Sequence, residues 1–145
     1  MSGTLRILLP TDGAPAALAA IGHALDLARR GLAVELHLLN VQPPVRGAAT
    51  ALLAAGTLVH YHREQGMAAL GPAEALCRGA GVVPHLHVGV GEAGATILDF
   101  ARKLDCGMVV MATGGLGRAA DFVLGSVARE VSSASPVPVT LVRAG

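Results

Sequence analysis

Three features of this chain are suited to holding a ligand: Asp12, the glycine-dense run Gly114-Gly115-Leu116-Gly117, and the pair Gly125-Ser126. The run follows the apolar stretch Met108-Val109-Val110-Met111, which reads as a buried strand because strands covered on both faces lose the alternating pattern, with Ala112-Thr113 leading out of it. Gly125-Ser126 stands immediately before Val127, Val131 and Ala134 at helical spacing. Glycines let backbone amides approach a ligand without a Cβ in the way, and a helix N-terminus offers unpaired N–H groups to an anion. Strand, glycine loop and Gly-Ser opening a helix together suit a cradle for phosphates. The bland alternative is a turn followed by a serine cap, since glycine-rich loops alone are weak evidence. Asp12 carries an acceptor for ligand hydrogen bonds, and an N-cap or turn role is equally natural for it. Arg118 is within sequence reach of a phosphate, although a solvated loop arginine is the simpler reading.

His85 and His87 lie two apart on an expected strand, so their side chains share a face and offer two ligands to a metal that usually needs three or four. His60 and His62 repeat that spacing where a helix or loop would splay them. With no cysteine or carboxylate cluster nearby in sequence, all four read as surface histidines, and His23 and His37 as isolated ones. Nothing reads as a catalytic set: Asp99, Asp105 and Asp121 are scattered, and no serine sits in a nucleophile elbow. A phosphate-accepting receiver domain would carry paired acids after its first strand, whereas Asp12 stands alone between Thr11 and Gly13.

Composition narrows the classes further. A chain of 145 residues suits one domain, residues 1–145, and 52% hydrophobic against 14% charged residues argues for a well-buried globule. A net charge of +1 gives no electrostatic case for nucleic acid, and Tyr61, Phe100 and Phe122 are too few for a base-stacking platform. No apolar run approaches the roughly 20 residues of a membrane span. Met1-Ser2-Gly3-Thr4 lacks the charged start and apolar core of a signal peptide, so a cytoplasmic location is expected. In that setting Cys77 and Cys106 read as free, buried thiols.

The elements that must position these residues alternate. Leu5 to Pro10 is a short apolar strand turned by Thr11-Asp12-Gly13. Pro15 opens a helix carrying Leu18, Ile21, Leu25 and Ala28, which ends near Gly31. Val34 to Val41 is a second strand closed by Pro43-Pro44. Ala48 to Gly81 is helical in composition, with breaks expected at Gly56, Gly66 and Gly71-Pro72. Val82 to Val90 is a third strand, and Gly91-Glu92-Ala93-Gly94 leads into a helix facing inward through Ile97, Ala101 and Leu104. Gly107 to Met111 is the fourth strand and Val137 to Val142 the fifth, with Pro136 and Pro138 suited to its start or an edge. Five strands alternating with helices imply an α/β fold: one open, five-stranded parallel sheet with helices on both faces.

The order Gly, two residues, Gly, nine residues, Gly, then Ser or Thr is the phosphate motif of the universal stress protein family, which this sequence resembles. The matching positions run from Ala112 through Gly115 to Gly125 and Ser126, with Ala112 standing where the pattern has its first glycine. Ile7-Leu8-Leu9-Pro10-Thr11-Asp12-Gly13, Leu38-Leu39-Asn40-Val41, Gly89-Val90-Gly91 and Pro138-Val139-Thr140-Leu141-Val142 are similar to the family's strands and strand-end turns. Gly125-Ser126-Val127-Ala128 is the most specific block, and the middle helical region matches poorly.

The resemblance implies the strand order 3-2-1-4-5. Ligands in such sheets sit at the carboxyl ends of strands where the order reverses, here between strands one and four. It further implies an adenine nucleotide, ATP with Mg or Mn, held by Pro10, Thr11, Asp12, Val41, Met111, Ala112, Gly115, Gly125, Ser126 and Val127. Asp12 would meet the ribose or adenine, and Gly115, Gly125 and Ser126 the phosphates. Binding with slow hydrolysis at most is expected, since no general base is evident. The resemblance also implies a homodimer through the C-terminal strand, where Val137, Val139 and Leu141 alternate with other residues. A nucleotide-free interaction protein acting through its dimer surface is the alternative: Ala112 favours it and Gly125-Ser126 opposes it.

Overall fold

The computed structural model of the protein describes residues 3–45, 55–113 and 125–144. Strand β1 (Leu5–Pro10) is buried on both faces through Ile7, Leu8 and Leu9, as its unbroken apolar run predicts. A short 3-10 turn (Pro15–Ala17) leads into helix α1 (Leu18–Arg29), with the proline at the entry where its missing N–H is harmless. The chain leaves α1 through Gly31 at φ +99°, the expected C-terminal cap region. Strand β2 (Val34–Gln42) follows, then α2 (Ala55–Gly79), β3 (His85–Val90), α3 (Ala93–Lys103), β4 (Met108–Thr113), α4 (Ser126–Ala134) and β5 (Val139–Arg143).

The five strands form one sheet in the order β3-β2-β1-β4-β5, and every pairing is parallel. This is the expected order. Helices α1 and α2 cover one face, packing Ile21, Ala24, Leu25, Leu70, Ala73 and Cys77 onto Ile7, Leu9, Leu36, Leu38 and Val110. Helices α3 and α4 cover the other, packing Ile97, Leu98, Ala101, Ala128 and Val131 onto Leu8, Leu39, Val109 and Met111. Cys77 and Cys106 are buried free thiols, as expected, one in each cluster.

Several boundaries differ from the sequence reading, among them β4, which runs from Met108 to Thr113 and not from Gly107 to Met111. Helix α2 runs unbroken through Gly66 and Gly71-Pro72. A buried stripe at His62, Gly66, Leu70, Ala73 and Cys77 spans the supposed breaks. Packing of that stripe outweighs an interior proline, which costs about 3 kcal/mol or more. Gly66 is a packing notch: a Cβ there would lie 2.5 Å from Val88 Cγ1 on β3. Strand β3 begins at His85 and not Val82, because the Val82 amide still bonds back to Cys77 at 2.9 Å. Strand β5 begins at Val139 and not Val137, whose amide bonds to Ser135 Oγ at 3.1 Å.

Candidate functional site

Strands β1 and β4 lie side by side only at Ile7–Met108 and Leu8–Val109. The β1–β2 pairing continues to Pro10–Leu39, so the sheet parts between β1 and β4 toward their carboxyl ends. This is the point where the strand order reverses, and a cleft of about 290 Å³ opens there. Pro10, Thr11, Asp12, Val41, Met111, Ala112 and Val127 all line it. Those seven predicted residues are thus brought together. Gly125 and Ser126 lie exposed at the start of α4, adjoining the cleft through Val127. Gly115, Gly114, Gly117 and Arg118 lie outside the described residues.

Each position has a local cause. The Thr11 amide bonds to Leu39 O at 2.8 Å, carrying the β1–β2 ladder one step beyond the strand. Asp12 Oδ1 then accepts the Ala14 amide at 2.9 Å, and Thr11 Oγ1 accepts the Gly13 amide at 3.3 Å. Gly13 sits at φ +86° against Ala69, a conformation that suits only glycine well. The turn role of Asp12 is therefore real, and it leaves the carboxylate exposed at the cleft. At α4, Gly125 is the N-cap at φ −63° and ψ 156°, with no side chain capping the helix. Ser126 is the first helical residue and not a serine cap. Its neighbours' amides open the helix without a side-chain partner, the arrangement that favours an anion.

Two cleft residues were not singled out by sequence reasoning. Asn40 is only 4% exposed; its Nδ2 donates to Thr11 O at 2.9 Å and its Oδ1 accepts from Gln42 Nε2 at 2.6 Å. Thr113 ends β4, is 6% exposed, and its Oγ1 has no hydrogen-bond partner among the described residues. The available signal was the same for both, a polar residue closing an apolar strand. Ala16, Ala17, Leu39, Ala93 and Ile97 complete an apolar wall.

Ala112 pairs with Val142 inside β4, and Asp105 is the only non-glycine at positive φ among the described residues. The strand thus takes Ala112 in ordinary extended geometry.

The histidines fall differently from expectation. His60 is an exposed partner of Glu64 on α2, while His62, on the same helix, is buried. His37 is not isolated: it is buried, and β2–β3 register sets it opposite His85. Its Nδ1 is 2.9 Å from His87 Nε2 and its Nε2 is 2.7 Å from Glu35 Oε2. The hydrogen bond from His37 holds the Glu35 carboxyl below the usual carboxylate value, with burial opposing and Arg6 and His85 assisting. Burial, then the neighbouring His37 and His85, pushes the His87 imidazole down. No helix among the described residues is long and apolar enough to cross a membrane.

Comparison with known proteins agrees with this architecture. Residues 4–143 match the Universal stress protein family. Universal stress protein MJ0531 of Methanocaldococcus jannaschii is 29% identical over 143 residues, covering 95% of this chain and 81% of that one. The solved structure of the protein MJ0577 superposes with a TM-score of 0.77 at 23% identity, covering 99% of each chain. A universal stress protein solved in complex with cAMP gives 0.74 at 22% identity, covering 99% of this chain and 100% of its own. The parallel sheet in the order 3-2-1-4-5, the cleft at its switch point and the match across nearly the whole length have one reading: the chain belongs to the universal stress protein family.

Proposed function

We propose that this chain is a cytoplasmic, single-domain universal stress protein that binds ATP or another adenine nucleotide in the β1–β4 cleft. The orphaned hydroxyl of Thr113 carries the reading. Buried polar groups are nearly always hydrogen-bonded, so one with no partner among the described residues, on a residue that lines the cleft, fits a site completed by a ligand. The apolar wall suits a base, Asp12 suits the ribose or the adenine amino group, and the α4 N-terminus at Gly125-Ser126 suits the phosphates. The structural neighbour solved with cAMP supports an adenine nucleotide as the ligand class. A divalent ion such as Mg or Mn would accompany the phosphates of ATP and offset their charge. The chain's own residues bind and orient: Asp12 is the one ionisable side chain among the described lining residues, and it is assigned here to the ribose or adenine end and not to the phosphates.

The test is calorimetric titration of the purified chain with ATP, AMP, cAMP and GTP, with and without magnesium. Saturable binding of the adenine nucleotides over GTP is expected. No binding of any of them overturns the reading and favours the interaction protein acting through its dimer surface, which the methyl group of Ala112 would otherwise suggest.

A homodimer through β5 belongs to the same proposal. Strand β5 closes the sheet at one end. Pro138 O and the Ala144 amide both bond to β4, so by strand alternation the amides of Val139 and Leu141 face the other side. Val139→Pro removes one such donor while keeping an apolar residue, and it should shift the chain toward monomer in sedimentation. A monomeric unmodified chain at micromolar concentration would refute the dimer.

A further inference from the structure

Away from the cleft, the amino ends of β1, β2 and β3 line up five polar side chains on one face of the sheet. Arg6 pairs in register with Glu35, and His37 with His85, while His87 lies beyond. They share the face covered by α3 and α4, where His87 meets Phe100 at 5.8 Å between ring centroids. His37 stacks between its neighbours, 4.6 Å from the His85 ring and 5.1 Å from the His87 ring. Within this row His37 is buried while Arg6, Glu35 and His85 stay partly or half exposed, so the cluster is open to solvent at the amino end of the sheet.

We propose that Glu35, His37 and His85 form a binding site for a divalent transition-metal ion of the zinc type, oriented by His87. One ligand atom from each of the three lies within 4.8 Å of the other two. The His37 Nε2–Glu35 Oε2 and His85 Nε2–Glu35 Oε1 separations are 2.7 and 3.9 Å. A tetrahedral zinc with bonds near 2.1 Å holds its ligands about 3.4 Å apart, so these two gaps change by under about 1 Å and no separation within the 4.8 Å limit needs to close by more than about 1.4 Å. Imidazole with carboxylate is a donor set suited to zinc, copper or nickel, and three protein ligands leave one position for water or a further donor.

A partner that would orient the His37 imidazole is in place as well. A metal-bound imidazole donates its other ring N–H to an acceptor that fixes its tautomer. Binding at His37 Nε2 leaves the proton on Nδ1, which faces His87 Nε2 at 2.9 Å. The opposing feature is Arg6, whose Nε lies 3.0 Å from Glu35 Oε2 and whose Nη1 donates to Leu104 O at 3.2 Å. Its guanidinium competes with a cation for the same oxygen, and its side chain is half exposed. Arg6 therefore sets the affinity.

The test is equilibrium dialysis of the untagged, chelator-stripped full chain against Zn2+, with Co2+ as an absorbing probe of coordination. One ion per chain is expected, with visible Co2+ absorption of low-coordinate type. Glu35→Gln and His85→Ala, both at partly or fully exposed positions, should each lower affinity at least tenfold. His87→Ala should cost about 10–100-fold as an orienting residue. Arg6→Gln should tighten binding, and His60→Ala, which alters the unrelated His60–Glu64 pair, should change nothing. No retention of Zn2+ at micromolar concentration overturns the site. Equal losses in the Glu35, His85 and His60 variants overturn it too. Nucleotide binding is measured separately and does not bear on this result.

Discussion

The side chain of Asn40 on β2 holds the residue that follows β1, its Nδ2 donating to the Thr11 carbonyl at 2.9 Å. That bond fixes the carbonyl before Asp12, while Asn40 Oδ1 is held in turn by Gln42. The start of the Asp12 turn is thus pinned from the neighbouring strand.

Asn40→Ala should therefore act on stability and binding together. It leaves the Thr11 carbonyl without its partner in a buried setting, a cost of about 1–3 kcal/mol. A lowered urea midpoint with unchanged slope is expected, along with weaker ATP binding as the Asp12 turn loosens. Unchanged stability would mean that water replaces the amide.

The sequence made some of this legible and hid the rest for physical reasons. Strands β1 and β4 were readable as apolar runs because both faces are buried, although the small side chain of Ala112 hid the continuation of β4 from Met111 to Thr113. Asn40 sits in such a run and was visible only as part of the resemblance; its bond to Thr11 depends on the β1–β2 register. Helix α2 was misread at Gly66 and Pro72, where contacts with β3 and the core override local propensity. The His37 cluster was invisible because its members come from two strands about 50 residues apart in sequence. Spacing along one strand found His85 and His87, and only the β2–β3 register adds Glu35 and His37.

Asp12 and Ser126 sit at opposite ends of the proposed ligand, so their removal should differ in kind. Ser126→Ala deletes one hydroxyl near the phosphates, worth about 0.5–1.5 kcal/mol, or about twice that with charge assistance, hence roughly 2- to 150-fold in affinity. It should leave the ATP-to-GTP ratio intact. Asp12→Asn keeps an acceptor for the Ala14 amide and so preserves the turn, but weakens acceptance from ribose or adenine. That variant should lose affinity and base preference together. Identical ATP-to-GTP ratios in calorimetry would show that the two roles are wrongly assigned.

Cys106 gives the pH dependence. Burial pushes its thiol from an ordinary value of 9.0 up to about 11, with the nearby Arg6 opposing. A folded-state value raised above the unfolded one leaves stability untouched below pH 9. As pH climbs through 9 toward 11 the unfolded thiol ionises first, and that stability is progressively lost. The native thiol at pH 8 should react with iodoacetamide about a hundredfold more slowly than in urea, from its thiolate fraction alone. Cys106→Ala should flatten the fall in urea midpoint between pH 8 and 10.5. An equal fall in that variant would assign the alkaline loss to other groups.

Ala112 separates this chain from the glycine pattern of its family, and two mechanisms make opposite forecasts for restoring the glycine. Were the backbone held at positive φ, alanine would be strained by about 1 kcal/mol and Ala112→Gly would raise stability. The structure excludes that case, since Ala112 lies in the β4 ladder opposite Val142 with no positive φ. Glycine in a strand interior instead costs about 0.5–1 kcal/mol relative to alanine, so Ala112→Gly should lower the urea midpoint. Its effect on binding should have the opposite sign, because Ala112 lines the cleft and a smaller residue there should let the ligand approach the strand. A gain of up to about tenfold in ATP affinity, near 1.4 kcal/mol, is expected. Ala112→Val should complete the series: stability held by a good strand former, binding weakened by the added bulk. Titration of the three proteins with ATP and magnesium, beside their urea curves, decides the matter. Affinity that follows stability, and not side-chain size, would refute the close-approach account of this position.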